Sequence, residues 1–389
     1  EVEILTLEDC LRIGIDNNLS LEGKRKEIQK SKYGVSENRS KLLPQINAIA
    51  GYNNNFDPPV SVTDGSSYGV PYNITKTLQH SANAGLEMQM PLFNQTLYTS
   101  MSIAKVMEEI SRLSYGKARE DVILQISKMY YLGQVTAEQI MLIKANITRL
   151  EELRDITQAF FDNGMSMEVD LKRVNINLEN LKVQYDNAQA MMKQQLNMLK
   201  YIMDYPAEKE IALTPVNTDS ITTVALTGLS ENIYELQLSQ SQVQLAERQK
   251  KIITNGYIPS LSLTGSWRYA AYTDKGYHWF HSGPSNQWFR SYGVGLTLRI
   301  PIFDGLDKTY KIKKAMIDIE NKRLAWEDAR KNLQTQYLNA VNDLMNNQRN
   351  FKKQKDNYLL AEDVYAVTSD RYREGIASMT EVLQDEMQM

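Results

Sequence analysis

Two long stretches of this chain contain almost none of the residues that end a helix. Residues 306–372 include neither proline nor glycine, and residues 96–161 include no proline and two glycines, Gly116 and Gly133. Both stretches are rich in residues that favour helix. At 1.5 Å per residue, each would form a helix ~100 Å long. Since a globular domain of this size has no room for such helices, we expect the two to lie side by side.

Apolar residues in the first stretch and in the segment after it recur in steps of three and four, the pattern of a coiled coil. The first set is Ile140, Ile143, Ile147 and Leu150, and the returning set is Leu171, Val174, Leu178, Leu181, Tyr185 and Ala188. Taken alone, this pattern predicts an antiparallel coiled-coil hairpin and no particular function.

Four landmarks occur twice in the same order, at a shift of about 210 residues. They are NLSL at 18–21 and NIYEL at 232–236, LPQI at 43–46 and IPSL at 258–261, MPLFN at 90–94 and IPIFD at 300–304, and FFDNGMS at 160–166 and RYREGIAS at 371–378. The chain therefore reads as an internal duplication, with repeats 1–215 and 216–389. Each repeat is predicted as helix, strand, polar loop, strand, very long helix, turn and helix. In the first repeat we place a helix over 7–41 and strands over 46–52 and 86–90.

Four segments alternate between apolar and polar residues, as a strand with one apolar face does. The clearest is 292–300, with Tyr292, Val294, Leu296, Leu298 and Ile300 on one face. Such strands suit either a soluble sandwich or a transmembrane β-barrel. Aromatic residues crowd the strand ends and loops, which favours the membrane, where an aromatic belt lies at each interface. They are Tyr52, Tyr72, Trp267, Tyr269, Tyr272, Trp279, Trp288, Phe289 and Tyr292.

Four strands are too few to close a barrel, and an open edge cannot lie in lipid with unsatisfied backbone groups. Copies of the chain must share one barrel, and three copies would supply about twelve strands. Proline cannot donate to a strand ladder, so we expect Pro91 and Pro301 to end their strands where the barrel meets the helices. Asn94 and Asp304 are the expected N-caps of the long helices. The predicted barrel-to-helix junctions are Pro91, Phe93, Asn94, Pro301, Phe303 and Asp304.

With the two junctions, the paired FFDNG and RYREG turns and TLEDCLRIGIDNNLSL near the start, the chain resembles the TolC-like outer membrane efflux proteins over nearly its whole length. The resemblance implies a mixed fold of helices and transmembrane strands. It also implies a homotrimer with a twelve-stranded outer-membrane barrel and a periplasmic tunnel of long antiparallel helices. Such proteins are exit ducts of tripartite efflux or type I secretion systems. They work with a periplasmic adaptor and an inner-membrane pump of the RND or ABC type.

The resemblance also implies roles for residues at the two turns. Carried over to this chain, the periplasmic tip where adaptors dock comprises Phe161, Gly164, Ser166, Tyr372, Gly375, Ala377 and Ser378. The gate would pair Tyr372 with Glu168, and a ring of carboxylates would place Glu381, and Asp385 beside it, at the pinch. Opening would be an iris-like untwisting once the contacts of Tyr372 break.

Three features depart from the family pattern. The first tip loop reads as one or two residues shorter than the second. Ala377 stands where the family often has an arginine, which predicts that one gate interaction is absent. The last helix is expected to continue past Met389, because its first-half counterpart is predicted to reach about Met203.

Composition and motifs exclude several other classes. The net charge of −3 gives no basic bulk for nucleic acid. The single cysteine, Cys10, leaves no internal disulfide. No phosphate loop, nucleophile elbow or metal-ligand set appears, so neither an enzyme nor a cofactor is expected. His278 and His281 are interpreted as loop residues. No apolar run is long enough to span a membrane as a helix, and the chain starts at Glu1, so we expect either a cytosolic protein or a cleaved signal. The alternative function is a soluble coiled-coil scaffold with a small sandwich.

Overall fold

A computed structural model of the chain describes residues 2–216, 228, 230, 232–274 and 288–388. The helices are α1 (Leu7–Asn17), α2 (Leu19–Ser40), α3 (Gln95–Asp162), α4 (Glu168–Met203), α5 (Tyr234–Asn255), α6 (Asp307–Arg373) and α7 (Met379–Gln388). The strands are β1 (Glu3–Leu5), β2 (Gln45–Asn54), β3 (Val60–Asp64), β4 (Tyr72–Lys76), β5 (His80–Phe93), β6 (Ile211–Leu213), β7 (Ser260–Thr273) and β8 (Trp288–Arg299). Trp279, His278 and His281 lie outside the described residues.

The two long helices are confirmed, each within one residue of its predicted ends. α3 contains 68 residues and α6 contains 67. Five of the ten predicted seam residues on α3 and α4 are buried and the other five are partly buried. The buried ones are Ile143, Leu150, Val174, Leu178 and Ala188. Every helix in the described part of the chain is too short or too polar to cross a membrane.

The single helix predicted over 7–41 is wrong, because the chain breaks it at Asn18. There the backbone leaves the helical region, with φ −55° and ψ 118°. The Asn18 side-chain amide donates to the carbonyl of Ile202 at 2.7 Å, and its oxygen accepts the N–H of Leu21 at 3.1 Å. Asn18 thus caps α2 and ties the break to the end of α4, a long-range contact that the local pattern does not contain.

The four predicted strands form one antiparallel sheet in the order β2-β5-β7-β8. Each is longer than predicted. The alternation is kept across the sheet: Met88 lies between Ile46 and Gly265, and Leu86 lies opposite Trp267. The other face is polar and carries an ion pair between Glu87 and Arg268, with 2.5 Å between Oε1 and Nη2. The sheet therefore has one apolar and one polar face, as the sequence indicates.

The junctions between strands and long helices differ from the prediction and from each other. β5 runs through Pro91 to Phe93, with a register shift between them, so Pro91 does not end its strand. The pairing of β5 with β2 stops at Gln89, so among the described residues β7 is the one strand beside Pro91, and the missing N–H is tolerated. β8 does end before Pro301.

The two helix starts also differ. The Asn94 side chain accepts the N–H of Thr96 at 3.0 Å, directly before α3, as an N-cap does. The prediction that Asp304 directly starts α6 is wrong, because Gly305 and Leu306 intervene in left-handed conformations, with φ 67° and 68°. The Asp304 carboxylate still accepts the N–H of Lys308 at 3.2 Å and pairs with its ammonium at 2.9 Å.

Four further strands were not predicted, and they form two small sheets, β1 with β6 and β3 with β4. The chain divides into two compact units, each drawn from both halves of the sequence. One comprises Glu1–Glu27, Arg112–Gln237 and Glu327–Met389, and the other comprises Ile28–Ser111 and Leu238–Trp326. In the first unit β1 and β6 cover an apolar cluster around Leu21, Ile126, Leu199 and Met203. The second unit contains the four-stranded sheet.

Replacing Asn18 with alanine tests the tie between the helix break and α4. We expect Asn18→Ala to lower the free energy of unfolding by about 1–3 kcal/mol, since it removes a helix cap and leaves the Ile202 carbonyl without its donor. The measurement is urea or thermal unfolding in detergent. Asn17→Ala is the matched control, because Asn17 is exposed one residue earlier. Equal effects of the two substitutions would contradict this role.

Candidate functional site

Two turns between a long helix and its returning helix have the same backbone geometry. Gly164 and Gly375 both have φ 74°, in the left-handed region that favours glycine. In the first turn, the N–H of Gly164 donates to the carbonyl of Phe161 and that of Met165 to the carbonyl of Phe160. In the second, Gly375 donates to Tyr372 and Ile376 to Arg371. Both are Schellman turns, which satisfy the last carbonyls of the long helices.

The expectation that the first tip loop is shorter is wrong. α3 ends at Asp162 and α4 begins at Glu168, while α6 ends at Arg373 and α7 begins at Met379. The loops 163–167 and 374–378 are therefore equal in length, and in both the returning helix starts four residues after the glycine. With this alignment, Asp170 rather than Glu168 is the counterpart of Glu381.

The two returning helices begin with different caps. The Ser378 hydroxyl accepts the N–H of Glu381 at 3.3 Å, and the Glu381 carboxylate accepts the N–H of Ser378 at 3.4 Å. This reciprocal capping box stabilises the start of α7. The equivalent residue before α4 is Met167, which makes no side-chain capping bond. Glu381 thus caps α7 within the chain, and its place at a pinch stays a prediction.

Tyr372 lies in the apolar cluster formed by α3, α4, α6 and α7 and is only 6% exposed. Its ring packs against Phe160 with centroids 5.6 Å apart, and its hydroxyl lies 3.2 Å from the Thr157 hydroxyl. Because the Thr157 hydroxyl donates to the carbonyl of Leu153 at 2.7 Å, its oxygen accepts from Tyr372. Burial raises the pKa of the Tyr372 hydroxyl, so it remains a donor.

The predicted contact between Tyr372 and Glu168 is not made within the described chain. Glu168 pairs with Lys172 at 2.7 Å, and this hydrogen bond holds the pKa of its carboxyl below the usual value. The acidic side chain whose charge acts on Tyr372 is Asp170, which also lies 3.4 Å from Arg173. The sequence offered a signal for Thr157, which is a polar residue on the seam after Leu150 and Leu153.

The other predicted tip residues lie at or near the surface of the turns. Phe161 is 37% exposed, and Ala377 is partly buried beside the apolar cluster. Ser166 donates to the carbonyl of Thr157 at 3.4 Å, and Asp385 lies half-buried on α7. Sequence reasoning missed three apolar side chains on the loops, Met165, Met167 and Ile376, which are 64% to 68% exposed. They leave apolar side chains exposed to solvent on both turns.

A second group of polar side chains lies buried beside the turns. Glu386 on α7 is 7% exposed, and burial raises the pKa of its carboxyl while the charge of Arg149 on α3 opposes the shift. The Arg149 Nε atom is buried without a hydrogen-bond partner among the described residues. Burial and the charge of Glu386 raise the pKa of Tyr365 on α6. No group of three or more His, Cys, Asp or Glu in the described chain is arranged to bind a metal.

The family model of the outer membrane efflux proteins matches residues 13–203 and 229–388, which is most of the chain. The chain belongs to the outer membrane efflux protein family. As in that family, it is an outer-membrane channel protein and not an enzyme. The rival interpretation as a soluble coiled-coil scaffold is therefore wrong.

Named members of the efflux family are distant relatives in sequence. The outer membrane protein TolC of Vibrio cholerae is 21% identical over 319 residues, which cover 80% of this chain and 66% of the relative. The probable efflux pump outer membrane protein TtgC of Pseudomonas putida is 23% identical over 342 residues, covering 82% and 67%. The chain thus spans about two thirds of these relatives' length.

Solved structures of outer-membrane channels share the fold. The channel OprN superposes with a TM-score of 0.79 at 15% identity, covering 98% of this chain and 83% of that one. The open state of the Neisseria gonorrhoeae channel MtrE gives a TM-score of 0.76 at 18% identity, covering 98% and 82%.

The burial of Glu386 predicts that the docking of α7 depends on pH. Since the folded-state pKa is raised above the ordinary 4.5, the protonated form favours docking. That stability is present at acidic pH and is lost as pH rises through the raised value. Amide hydrogen exchange in α7, corrected for intrinsic rates, should therefore slow as the pH is lowered from neutral toward 4.5.

Two variants make this test specific. Glu386→Gln should remove the pH dependence and slow exchange at neutral pH, because its side chain is uncharged throughout. Glu374→Gln is the control, since Glu374 is exposed in the turn and its replacement should leave the profile unchanged. A Glu386→Gln profile that still follows pH would rule this explanation out.

Proposed function

We propose that three copies of this chain form one passive conduit across the outer membrane and periplasm. Each copy supplies four strands to a twelve-stranded barrel and its long helices to a periplasmic tunnel. The observation that carries the proposal is the four-stranded sheet, which is apolar on one face. Among the described residues, its edge strands β2 and β8 each have a strand partner on one side only. In lipid such edges must be paired, and further copies of the same sheet can pair them. Residues 1–215 and 216–389 are the two tandem repeats of each copy.

We propose further that the conduit is the exit duct of a tripartite efflux or type I secretion system. An inner-membrane pump of the RND or ABC type selects the small molecule or protein, and a periplasmic adaptor joins the pump to the duct. The two turns are the adaptor site, with Met165, Met167 and Ile376 as apolar contacts beside the predicted residues. The name of the relative TtgC, an efflux pump outer membrane protein, supports this function.

In this proposal Tyr372 holds the tunnel closed. Its hydroxyl links α6 to Thr157 on α3, so the bond must break if these helices separate. Glu381 and Asp385 line the pinch below, while Glu168 remains paired with Lys172. Opening is the untwisting of these helices when adaptor and pump engage.

The assembly is tested by the mass of the detergent-solubilised protein from outer membranes. We expect three copies of 44.6 kDa plus detergent, together with single-channel conductance in planar bilayers. A single-copy mass without conductance would overturn the proposal.

Replacing Tyr372 with phenylalanine tests the closing contact. Tyr372→Phe keeps the ring on Phe160 but removes a hydrogen bond worth about 1 kcal/mol, which shifts a closed-to-open equilibrium about fivefold. We expect more frequent open events in bilayers and greater sensitivity of cells to large antibiotics.

Control variants distinguish the loss of this hydrogen bond from a general loss of helix packing. Thr157→Val removes the same bond from the other side and should have a similar effect, with the double variant adding little. Tyr365→Phe, on the same helix, should leave gating unchanged. If Tyr372→Phe behaves like the parent, or if Tyr365→Phe matches it, the closing role is excluded.

A further inference from the structure

The four-stranded sheet is a duplication of one hairpin, down to the register. β2 pairs with β5 so that Gln45 lies opposite Gln89, and β7 pairs with β8 so that Ser260 lies opposite Arg299. Ser260 lies 215 positions after Gln45, and Arg299 lies 210 positions after Gln89. Adding 215 to each paired β2 residue and 210 to its β5 partner always gives two residues that are paired between β7 and β8. The two shifts therefore relate equivalent positions in the two hairpins.

The contact between the hairpins, β5 against β7, is present once in the chain. In it Leu86 lies opposite Trp267, Met90 opposite Leu263, and Phe93 opposite Leu261. The outer strands β2 and β8 are equivalent to β7 and β5, yet within the described residues neither has a partner on its outer side. Apolar side chains on both are exposed, Ile46 on β2 by 65% and Leu296 on β8 by 67%, and Phe303, just past the end of β8, is 81% exposed.

We infer that β8 of one copy pairs with β2 of the next in the register that β5 and β7 use within the chain. The inference rests on the proposed shared barrel and specifies which residues face each other across the contact between copies, here called the seam. Applying the same two shifts to the pair of Leu86 with Trp267 places Leu296 opposite the partner's Tyr52. Ile300 lies opposite the partner's Ala48, and Phe303 opposite the partner's Ile46.

Three observations favour this register over its neighbours. It keeps apolar residues of both strands on one face, whereas a slip of one residue would place them on opposite faces. It also brings two exposed aromatic side chains together, Tyr292 (77% exposed) and the partner's Phe56 (89% exposed). Their equivalents within the chain, Ala82 and Ala271, are paired. It also explains why β8 stops at Arg299 while β5 continues to Phe93. The last residues of β5 are paired with β7. The equivalent neighbour of β8 is β2 of the next copy, which is present only in the assembled barrel.

The seam is a head-to-tail contact, since β8 of one copy meets β2 of the next. It differs chemically from the contact within the chain. The ion pair of Glu87 with Arg268 has no equivalent there, because the corresponding residues are Thr297 and the partner's Asn53. The seam thus lacks this ion pair and is held by backbone bonds and by the apolar side chains of one face, while on the other face Arg299 lies opposite the partner's Ile49.

Cysteine cross-linking in native outer membranes tests the register. The predicted pairs are Leu296→Cys with Tyr52→Cys, and Ile300→Cys with Ala48→Cys. Same-face controls are displaced by two residues: Leu296→Cys with Ala50→Cys, and Leu298→Cys with Ala48→Cys. A disulfide requires Cα atoms within about 7 Å, which directly opposed residues satisfy and displaced ones do not. Cys10 can stay, since it is buried and its pKa is raised to about 11, which leaves little thiolate.

We expect the predicted pairs to yield covalent dimers and trimers on non-reducing gels, about fivefold or more above the displaced pairs. Single-cysteine variants with wild-type amounts in the outer membrane show that each substitution folds, and the second pair serves if Tyr52→Cys does not. Stronger cross-linking of the displaced pairs would overturn the register but leave the shared barrel intact. Absence of cross-linking in a protein of three-copy mass would overturn the seam. A single-copy mass with no cross-linking would overturn the proposed assembly as well.

Discussion

Backbone hydrogen bonding in lipid is the constraint on which this chain's organisation depends. A peptide group in hydrocarbon has no water to bond to, so each strand there needs a partner on both sides. β5 and β7 have two partners each, whereas β2 and β8 have one. In the proposed shared barrel, one copy alone is incomplete, and its two hairpins serve as repeating units. All four strands are apolar on the same face, which in that barrel meets lipid.

The sequence was informative where one local rule decides the structure. Absence of proline and scarcity of glycine set the extents of α3 and α6, and alternation set the faces of the strands. Prediction from the sequence failed where a contact with a residue far along the chain determines the local structure. The break at Asn18 depends on Ile202, and the passage of β5 through Pro91 depends on β7 continuing beside it. Neither partner lies near in sequence, so no local pattern predicts the outcome.

At the turns, the glycines were identified correctly but their neighbours less well. The left-handed positions follow from sequence because glycine is the residue that adopts them without strain. Within the described chain, the acidic residue whose charge acts on Tyr372 is Asp170, so the pairing of Tyr372 with Glu168 stays a prediction. The equal loop lengths, which the sequence did not reveal, make Asp170 the counterpart of Glu381. Thr157 was overlooked because the signal that the sequence offered, a polar residue on an apolar seam, matches no functional motif. Its role depends on the hydrogen bond from Tyr372 on α6, which is far from Thr157 in sequence.

The two turns share a backbone but differ in side chains, and this limits the symmetry of the proposed ring. Three copies of two equal repeats would have nearly sixfold symmetry. Phe161 occupies the position of Tyr372, three residues before its glycine, and has no hydroxyl to donate. Met167 stands where Ser378 caps its helix, and α6 alone starts behind the left-handed pair Gly305 and Leu306. Around the proposed ring, turns with and without the tyrosine hydroxyl would alternate. Every second turn could then be held closed by the bond of Tyr372 to Thr157, while the turns between them lack that bond.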